Sequence, residues 1–255
     1  MMRVVVITQD DPFYLAENLE YLIINMPSHS KLVGCVVNDV SPFGKKENFA
    51  KKAVKTYNVF GLKFFIYYSF QYLSLQVRRV KNVDSVLSRY DIDKIILNKS
   101  INSQESVDII QSYKPDLLIS ILGNQIFKEA IINLAPKGCL NLHTALLPKY
   151  RGLMPTFWVL KNSEEYTGVS VFFVDEGIDS GPIVVQKRIK IGNMTQRELI
   201  RATKKLGMDA IVEAIDSIEK GKIKLIENDS SKKTYYSFPT RKDVNEFYAK
   251  GKKFF

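Results

Sequence analysis

At 255 residues the chain is longer than a usual single domain and too short for two large ones, and 45% hydrophobic with 25% charged residues is ordinary for a globular protein. Its two histidines, His29 and His143, exclude a multi-histidine metal centre; its two cysteines, Cys35 and Cys139, lie in apolar strand-like runs and suit buried thiols of a reducing compartment better than a disulfide. A formal charge of +10, from 37 basic and 27 acidic residues, leaves four readings open: a solvated basic surface, a nucleic-acid surface, an anionic membrane surface, or a site for anionic small substrates.

Arg3 to Thr8 (RVVVIT) is a continuous apolar run, as in a parallel strand buried on both faces. It is too short for the apolar core of a signal peptide or for a membrane span, which predicts a cytoplasmic protein. Asp11-Pro12 predicts an N-cap with Pro at N1, then a helix to about Asn25 with Leu15, Leu19, Leu22 and Ile23 on one stripe, stopped by Pro27. Lys31 to Val40 is the next strand. Strand, helix, strand within that length is a βαβ unit, so an open α/β sheet with a right-handed crossover follows. The loop after the first strand, TQDDPF, has two carboxylates where a dinucleotide needs glycines. A nicotinamide or flavin dinucleotide is therefore not expected, and there is no P-loop sequence.

Residues 41–83 break the pattern: basic, then aromatic and apolar, then basic again. Two helices are predicted, Glu47 to Val59 and Leu62 to Val80. The second is too short to span a bilayer comfortably. It reads either as a helix buried against the sheet or a partner subunit, or as an interfacial helix touching a membrane or a lipid-linked substrate. Then follow a helix at Val83 to Tyr90, a strand at Lys94 to Leu97, a helix at Ser103 to Tyr113 with an imperfect capping box, and a strand at Asp116 to Leu122. A helix at Lys128 to Leu134 leads to the strand Cys139 to Leu142. Beyond the central segment, Pro182 to Ile189 and Lys222 to Ile226 read as strands. Between them, Thr195 to Lys220 is a long helix with Thr195 and Glu198 as a capping box. The tail reads as a polar turn and a short basic helix.

Cys139 to Pro182 carries the chemistry. Asn141 and His143 are one residue apart on a strand, so their side chains share a side, with Leu142 opposite. An imidazole suits proton transfer near neutral pH, and a carboxamide can donate to a developing oxyanion. A carboxylate would complete the set, and Asp175, Glu176 and Asp179 all stand in the turn after the next apolar strand.

Three motifs follow in order: Asn141-Leu142-His143; Leu146-Leu147-Pro148-Lys149-Tyr150-Arg151-Gly152; and Ile178-Asp179-Ser180-Gly181. Together they resemble the catalytic core of the 10-formyltetrahydrofolate-dependent formyltransferases, a family that includes the methionyl-tRNA, glycinamide ribonucleotide and sugar-nucleotide enzymes. The resemblance covers residues 115–220 well and the first strands loosely. It departs at Ala145, where relatives usually carry Ser. It implies an open, doubly wound, mostly parallel α/β sheet with a Rossmann-like core. Residues 1–220 would form the catalytic domain, interrupted by the helical insertion at 41–83, and residues 221–255 a short extension. It further implies that Asn141 stabilises the oxyanion, that His143 takes part in proton transfer, and that Asp179 orients His143 or a bridging water. The donor, 10-formyltetrahydrofolate, would lie against Gly123, Asn124, Gln125 and Ile126 and against Val174, Asp175, Glu176 and Ile178. Lys149, Tyr150, Arg151 and Gly152 would meet the acceptor, and no metal is needed.

The layout is most similar to the sugar N-formyltransferases. Relatives that act on methionyl-tRNA carry a further C-terminal β-barrel, for which the roughly 35 residues after the long helix leave no room. The glycinamide ribonucleotide enzymes are shorter and lack anything like residues 41–83. The expected acceptor is therefore an amino sugar linked to a nucleotide or a lipid, an anionic small molecule rather than a nucleic acid. A homodimer, and membrane-surface contact through residues 62–80, are further expectations for the insertion. The competing readings are a tRNA-acting enzyme and a non-catalytic folate- or sugar-binding homologue.

Overall fold

The computed structural model describes residues 1–38, 48–77, 82–122 and 125–255. In chain order the elements are β1 (Met2–Gln9), α1 (Leu15–Asn25), β2 (Ser30–Asn38), α2 (Phe49–Phe60), α3 (Leu62–Val77), α4 (Val83–Arg89), β3 (Asp93–Ile95), α5 (Gln104–Ser112), β4 (Leu117–Ile121), α6 (Glu129–Ile132), β5 (Cys139–His143), β6 (Arg151–Gly152), α7 (Pro155–Lys161), β7 (Tyr166–Phe173), β8 (Ile183–Lys190), α8 (Gln196–Glu219), β9 (Tyr235–Tyr236) and α9 (Arg241–Ala249). The expected positions 39–40 of the second strand, Glu47 of the first insertion helix and 78–80 of the second lie outside the described residues.

Seven strands form one sheet in the order β3-β2-β1-β4-β5-β7-β8, and β6 pairs with β9 in a separate two-stranded ribbon. The β1 to β5 pairings of the large sheet are parallel, while β7 runs antiparallel to both β5 and β8. This is the open α/β sheet that the apolar strands imply, doubly wound and mostly parallel as the resemblance implies. Strand order reverses between β1 and β4, and such a switch point opens a crevice at the carboxyl ends of the strands. The parallel strands are apolar throughout because both faces are covered: Val4, Val6, Leu117 and Ile119 pack with α1 and α8, and Val5, Ile7 and Leu118 pack with α5 and α6.

Several boundaries differ from the sequence reading, each for a local reason. Asp11 does not cap α1. Its Oδ1 accepts from Phe13 N at 2.9 Å and its Oδ2 pairs with Lys204 Nζ at 2.5 Å, so the helix starts later, after Tyr14. Lys222 to Ile226 is no strand, only an isolated bridge between Ile183 and Ile226. Helix α7, absent from the sequence reading, is short and buries Phe157 and Trp158. The capping box of α8 is present, and the Thr195 backbone and hydroxyl donors hold the Glu198 carboxyl below its usual range.

The tail is also more than a basic helix. Val244 and Phe247 of α9 are fully buried, and Phe254 nearly so, in a cluster with Phe60, Phe64, Phe157 and Trp158. Phe247 stacks on Phe157 with ring centroids 5.1 Å apart. Lys161 anchors α9 from outside the cluster, pairing with Asp243 and Glu246 at 2.8 Å each. Phe247→Ala should cost about 3–5 kcal/mol in urea unfolding, as for a deeply buried Phe; a cost below about 1 kcal/mol would mean that α9 is not part of the core.

Candidate functional site

Strand β5 presents two different faces. Leu140 and Leu142 pack into the cluster that contains Ala210 and Ile211 of α8, and Cys139 packs into the opposite one. Asn141 and His143, in register with Cys139, therefore point to the side away from α8. On that side the loop 147–153 and the turn 174–182 close over the strand.

His143 is buried, 6% exposed. Its Nε2 lies 2.7 Å from the Tyr150 carbonyl oxygen. A carbonyl only accepts, so this nitrogen carries the hydrogen and donates. In the neutral ring Nδ1 then holds the lone pair, and it lies 3.7 Å from Asp179 Oδ2. That gap is too long for a direct hydrogen bond. The same Asp179 oxygen accepts from Gly152 N at 2.8 Å. One short loop thus fixes both members, through the Tyr150 carbonyl and the Gly152 amide. Asn141 Oδ1 is buried without a hydrogen-bond partner.

Asp179 reaches this position from an unexpected direction. Because β7 is antiparallel to β5, its end lies beside the start of β5, with Val174 N donating to Cys139 O at 2.8 Å. The turn must run back along β5, about 13 Å over four residue steps, to bring Asp179 to His143. Asp175 shapes the turn: its Oδ1 accepts from Gly177 N at 3.1 Å and Ser180 Oγ at 2.6 Å. Asn228 fixes its far side, its amide donating to the Asp179 and Gly181 carbonyls at 2.9 Å each. The Asn228 Oδ1 accepts from Arg151 at 2.9 Å, and Ser230 Oγ accepts from the same guanidinium nitrogen at 3.3 Å.

The expected site residues therefore separate by role. Asn141, His143 and Asp179 gather on one side of β5. Tyr150 contributes its backbone to His143, while its ring stacks on Tyr236 and its hydroxyl donates to Glu164 at 2.6 Å. Burial, with Glu164 beside it, pushes the Tyr150 hydroxyl well above the usual tyrosine range. Arg151, expected to meet an acceptor, is 4% exposed and turned onto Asn228. Gly152 is required by backbone geometry: at φ 97° it pairs with β9, and a Cβ would collide with the Tyr236 carbonyl oxygen. Lys149 is exposed and lines a cavity of about 290 Å³ with Tyr150, Glu164, Glu165, Tyr166 and Arg188. Gly123 and Asn124 lie outside the described residues. Ile126 and Ile178 are exposed, and Asn102 pins the Ile126 carbonyl at 2.8 Å. Val174 is half-buried, and Glu176 is exposed.

Asn228 and Thr234 were not singled out from the sequence. Thr234 accepts from Tyr150 N through its hydroxyl at 2.8 Å and from Arg151 N through its carbonyl at 2.9 Å. Neither lies in a motif, and Arg151 and Asn228 are 77 residues apart. Among the described residues no group of three or more His, Cys, Asp or Glu side chains is placed to hold a metal ion.

The profile of a family described as "Formyl transferase" matches residues 2–215. The methionyl-tRNA formyltransferase of Kosmotoga olearia is 37% identical over 163 residues, which are 64% of this chain and 52% of that protein. The methionyl-tRNA formyltransferase of Thermotoga maritima is 30% identical over 244 residues, 95% of this chain and 67% of that protein. The chain thus spans between half and two thirds of the length of these relatives. Among solved structures, an N-formyltransferase from Helicobacter canadensis in complex with folinic acid and dTDP-3-aminofucose superposes with a TM-score of 0.58 at 18% identity, over 95% of this chain and 72% of that one.

Asn228→Ala would leave the Arg151 guanidinium buried without its carboxamide partner and free the Asp179 turn. We expect a loss of about 1–3 kcal/mol in urea unfolding. Backbone NMR signals of residues 177–181 and 150–153 should broaden or shift, and signals that stay in place would rule out Asn228 as the tie between the two loops.

Proposed function

The chain belongs to the formyl transferase family, and from that membership and the geometry around His143 we propose that it moves a formyl group from 10-formyltetrahydrofolate to an amino group of an acceptor. The observation that carries the proposal is the His143 ring, held through Nε2 by the Tyr150 carbonyl, with Nδ1 facing the Asp179 carboxylate at 3.7 Å. The donor supplies the formyl carbon and a nitrogen leaving group. The chain supplies the proton handling. His143 Nδ1 takes the proton that the attacking amine must lose, the Asp179 charge stabilises the imidazolium so formed, and that proton passes to the folate nitrogen as its bond to the formyl carbon breaks. The 3.7 Å gap suits a water or the amine itself between the two groups. Asn141, on the same side of β5, uses its amide to donate to the oxygen that gains charge as the formyl carbon becomes tetrahedral. Its unpartnered Oδ1 would be met by an N–H of the bound reactants. The exposed Ile126 and Ile178 fit the flat, partly apolar donor, with Gln125, Val174 and Glu176 around it, and Asp175 keeps this turn in shape.

For the acceptor we propose an amino sugar carried on a nucleotide or a lipid. The relative bound to dTDP-3-aminofucose offers this class, and the chain's net +10 suits the phosphates of such a conjugate. The second reading is a methionyl-tRNA acceptor, favoured by relatives that are 30–37% identical and carry that name. Residues 1–220 would hold the reaction.

Tetrahydrofolate release from 10-formyltetrahydrofolate in the presence of nucleotide-linked amino sugars, and separately of methionyl-tRNA, tests both readings. His143→Ala should lower the rate by about 10²–10⁴-fold with donor binding retained. Asp179→Asn, which keeps an acceptor for Gly152 N but removes the charge, should fall between that variant and the unaltered protein. A His143→Ala variant with full turnover would overturn the mechanism. Release that depends only on methionyl-tRNA would replace the sugar acceptor.

A further inference from the structure

Helix α3 is apolar on both faces, and only one face is covered. Phe64 is 8% exposed and stacks on Phe60 and Tyr68, against Phe254. A helix that is apolar all round is ordinarily buried all round. The opposite face carries Leu62, Ile66, Phe70 and Leu73, spaced by four, four and three residues, and these are 58%, 57%, 68% and 61% exposed. Val54 and Tyr57 on α2 extend the exposed surface at 59% and 48%. Single exposed apolar side chains are ordinary on a protein surface, but a contiguous row of large ones marks a contact site.

Charge identifies the occupant. Residues 41–83 contain nine Lys or Arg and one acidic residue, Glu47, so this stretch holds +8 of the chain's net +10. Lys51 is exposed at the start of α2, and Arg78 and Arg79 follow α3 directly in the sequence. A second copy of this chain seated on the face would bring two such charges together, which disfavours self-association. An anionic lipid surface instead accepts the apolar row at its headgroup boundary and attracts the flanking cations. At 16 residues α3 can lie in such an interface, and among the described residues no helix is long and apolar enough to cross a membrane.

We propose that the α2–α3 hairpin is a peripheral docking surface for an anionic bilayer, with Leu62, Ile66, Phe70 and Leu73 entering the interface. The proposal is independent of the reaction assigned above. Docking would hold the protein beside any acceptor carried on a lipid.

Vesicle flotation tests it, with phosphatidylcholine alone and with phosphatidylcholine containing phosphatidylglycerol. The intact chain should float with the anionic vesicles, binding them at least about tenfold more strongly than the neutral ones and less strongly as salt rises. The triple variant Ile66→Ser, Phe70→Ser, Leu73→Ser alters exposed positions only. It should keep its thermal melt and its turnover of soluble acceptors, yet lose at least about tenfold in vesicle binding. A folded chain that ignores anionic vesicles would overturn the proposal. So would a triple variant that binds as before, which would leave only nonspecific charge attraction. Concentration-dependent dimerisation abolished by the triple variant, without vesicle binding, would assign the face to a second copy instead.

Discussion

A single hydrogen bond organises the site: His143 Nε2 donating to the Tyr150 carbonyl at 2.7 Å. Because a carbonyl oxygen cannot donate, the bond fixes which ring nitrogen carries the hydrogen and leaves Nδ1 toward Asp179. The bond exists only if the chain turns sharply after Pro148. Tyr150 accordingly sits at φ 61°, and Asp179 across from it at φ 49°. Both are non-glycine residues in the left-handed region, each costing on the order of 1–3 kcal/mol. Met154 at the start of α7 and Leu122 at the end of β4 share this conformation. Four of the seven such residues among the described ones thus border the loops around β5, and strain of this kind persists only where surrounding contacts over-determine it.

Those contacts come from the far end of the chain. Tyr150 N and Arg151 N donate to Thr234, Leu153 N donates to Tyr236 O, and Asn228 joins the Arg151 side chain to the backbone of the Asp179 turn. The matched family region ends at residue 215, so the segment that holds the site in register lies after it. The same segment leads into α9 and Phe254, whose aromatic cluster carries α2 and α3. Core packing, loop geometry and the exposed hairpin are therefore mechanically continuous, and the C-terminal 30 or so residues act as the tie rather than as a loose tail.

What the sequence disclosed follows from the range of the interactions involved. Continuous apolar runs such as RVVVIT, the α8 capping box and the alternation that puts Asn141 and His143 on one side of β5 are local, with periods of two to four residues, and each was readable without a structure. The choice among Asp175, Glu176 and Asp179 was not. From the residues alone all three were equal, and only the resemblance singled out the third. The structure supplies a physical distinction, since Asp175 is spent on Gly177 and Ser180 while Asp179 faces His143. The Arg151 contact was equally hidden from the sequence. An arginine in a Pro/Gly loop looks available to a phosphate, yet its partner is a carboxamide 77 residues away, and no local pattern encodes that pairing. Asp11 was misread as a helix cap because its partner, Lys204, lies 193 residues along the chain.

The two ends of the problem, reaction and acceptor, separate in space. The proposed proton-handling group is enclosed: His143 is 6% exposed, and its neighbours are fixed by backbone donors and acceptors that vary little with side-chain identity. The exposed variables lie elsewhere, in the α2–α3 hairpin, within a stretch 41–83 of net charge +8, and at Lys149 beside Tyr150. A site built this way can keep its chemistry while its surroundings change partners. Tyr150 belongs to both regions. Its carbonyl holds the imidazole, its ring stacks on Tyr236, and its hydroxyl donates to Glu164, which lines the outer cavity with it. Tyr150 thus borders both the buried imidazole, through its carbonyl, and the outer cavity.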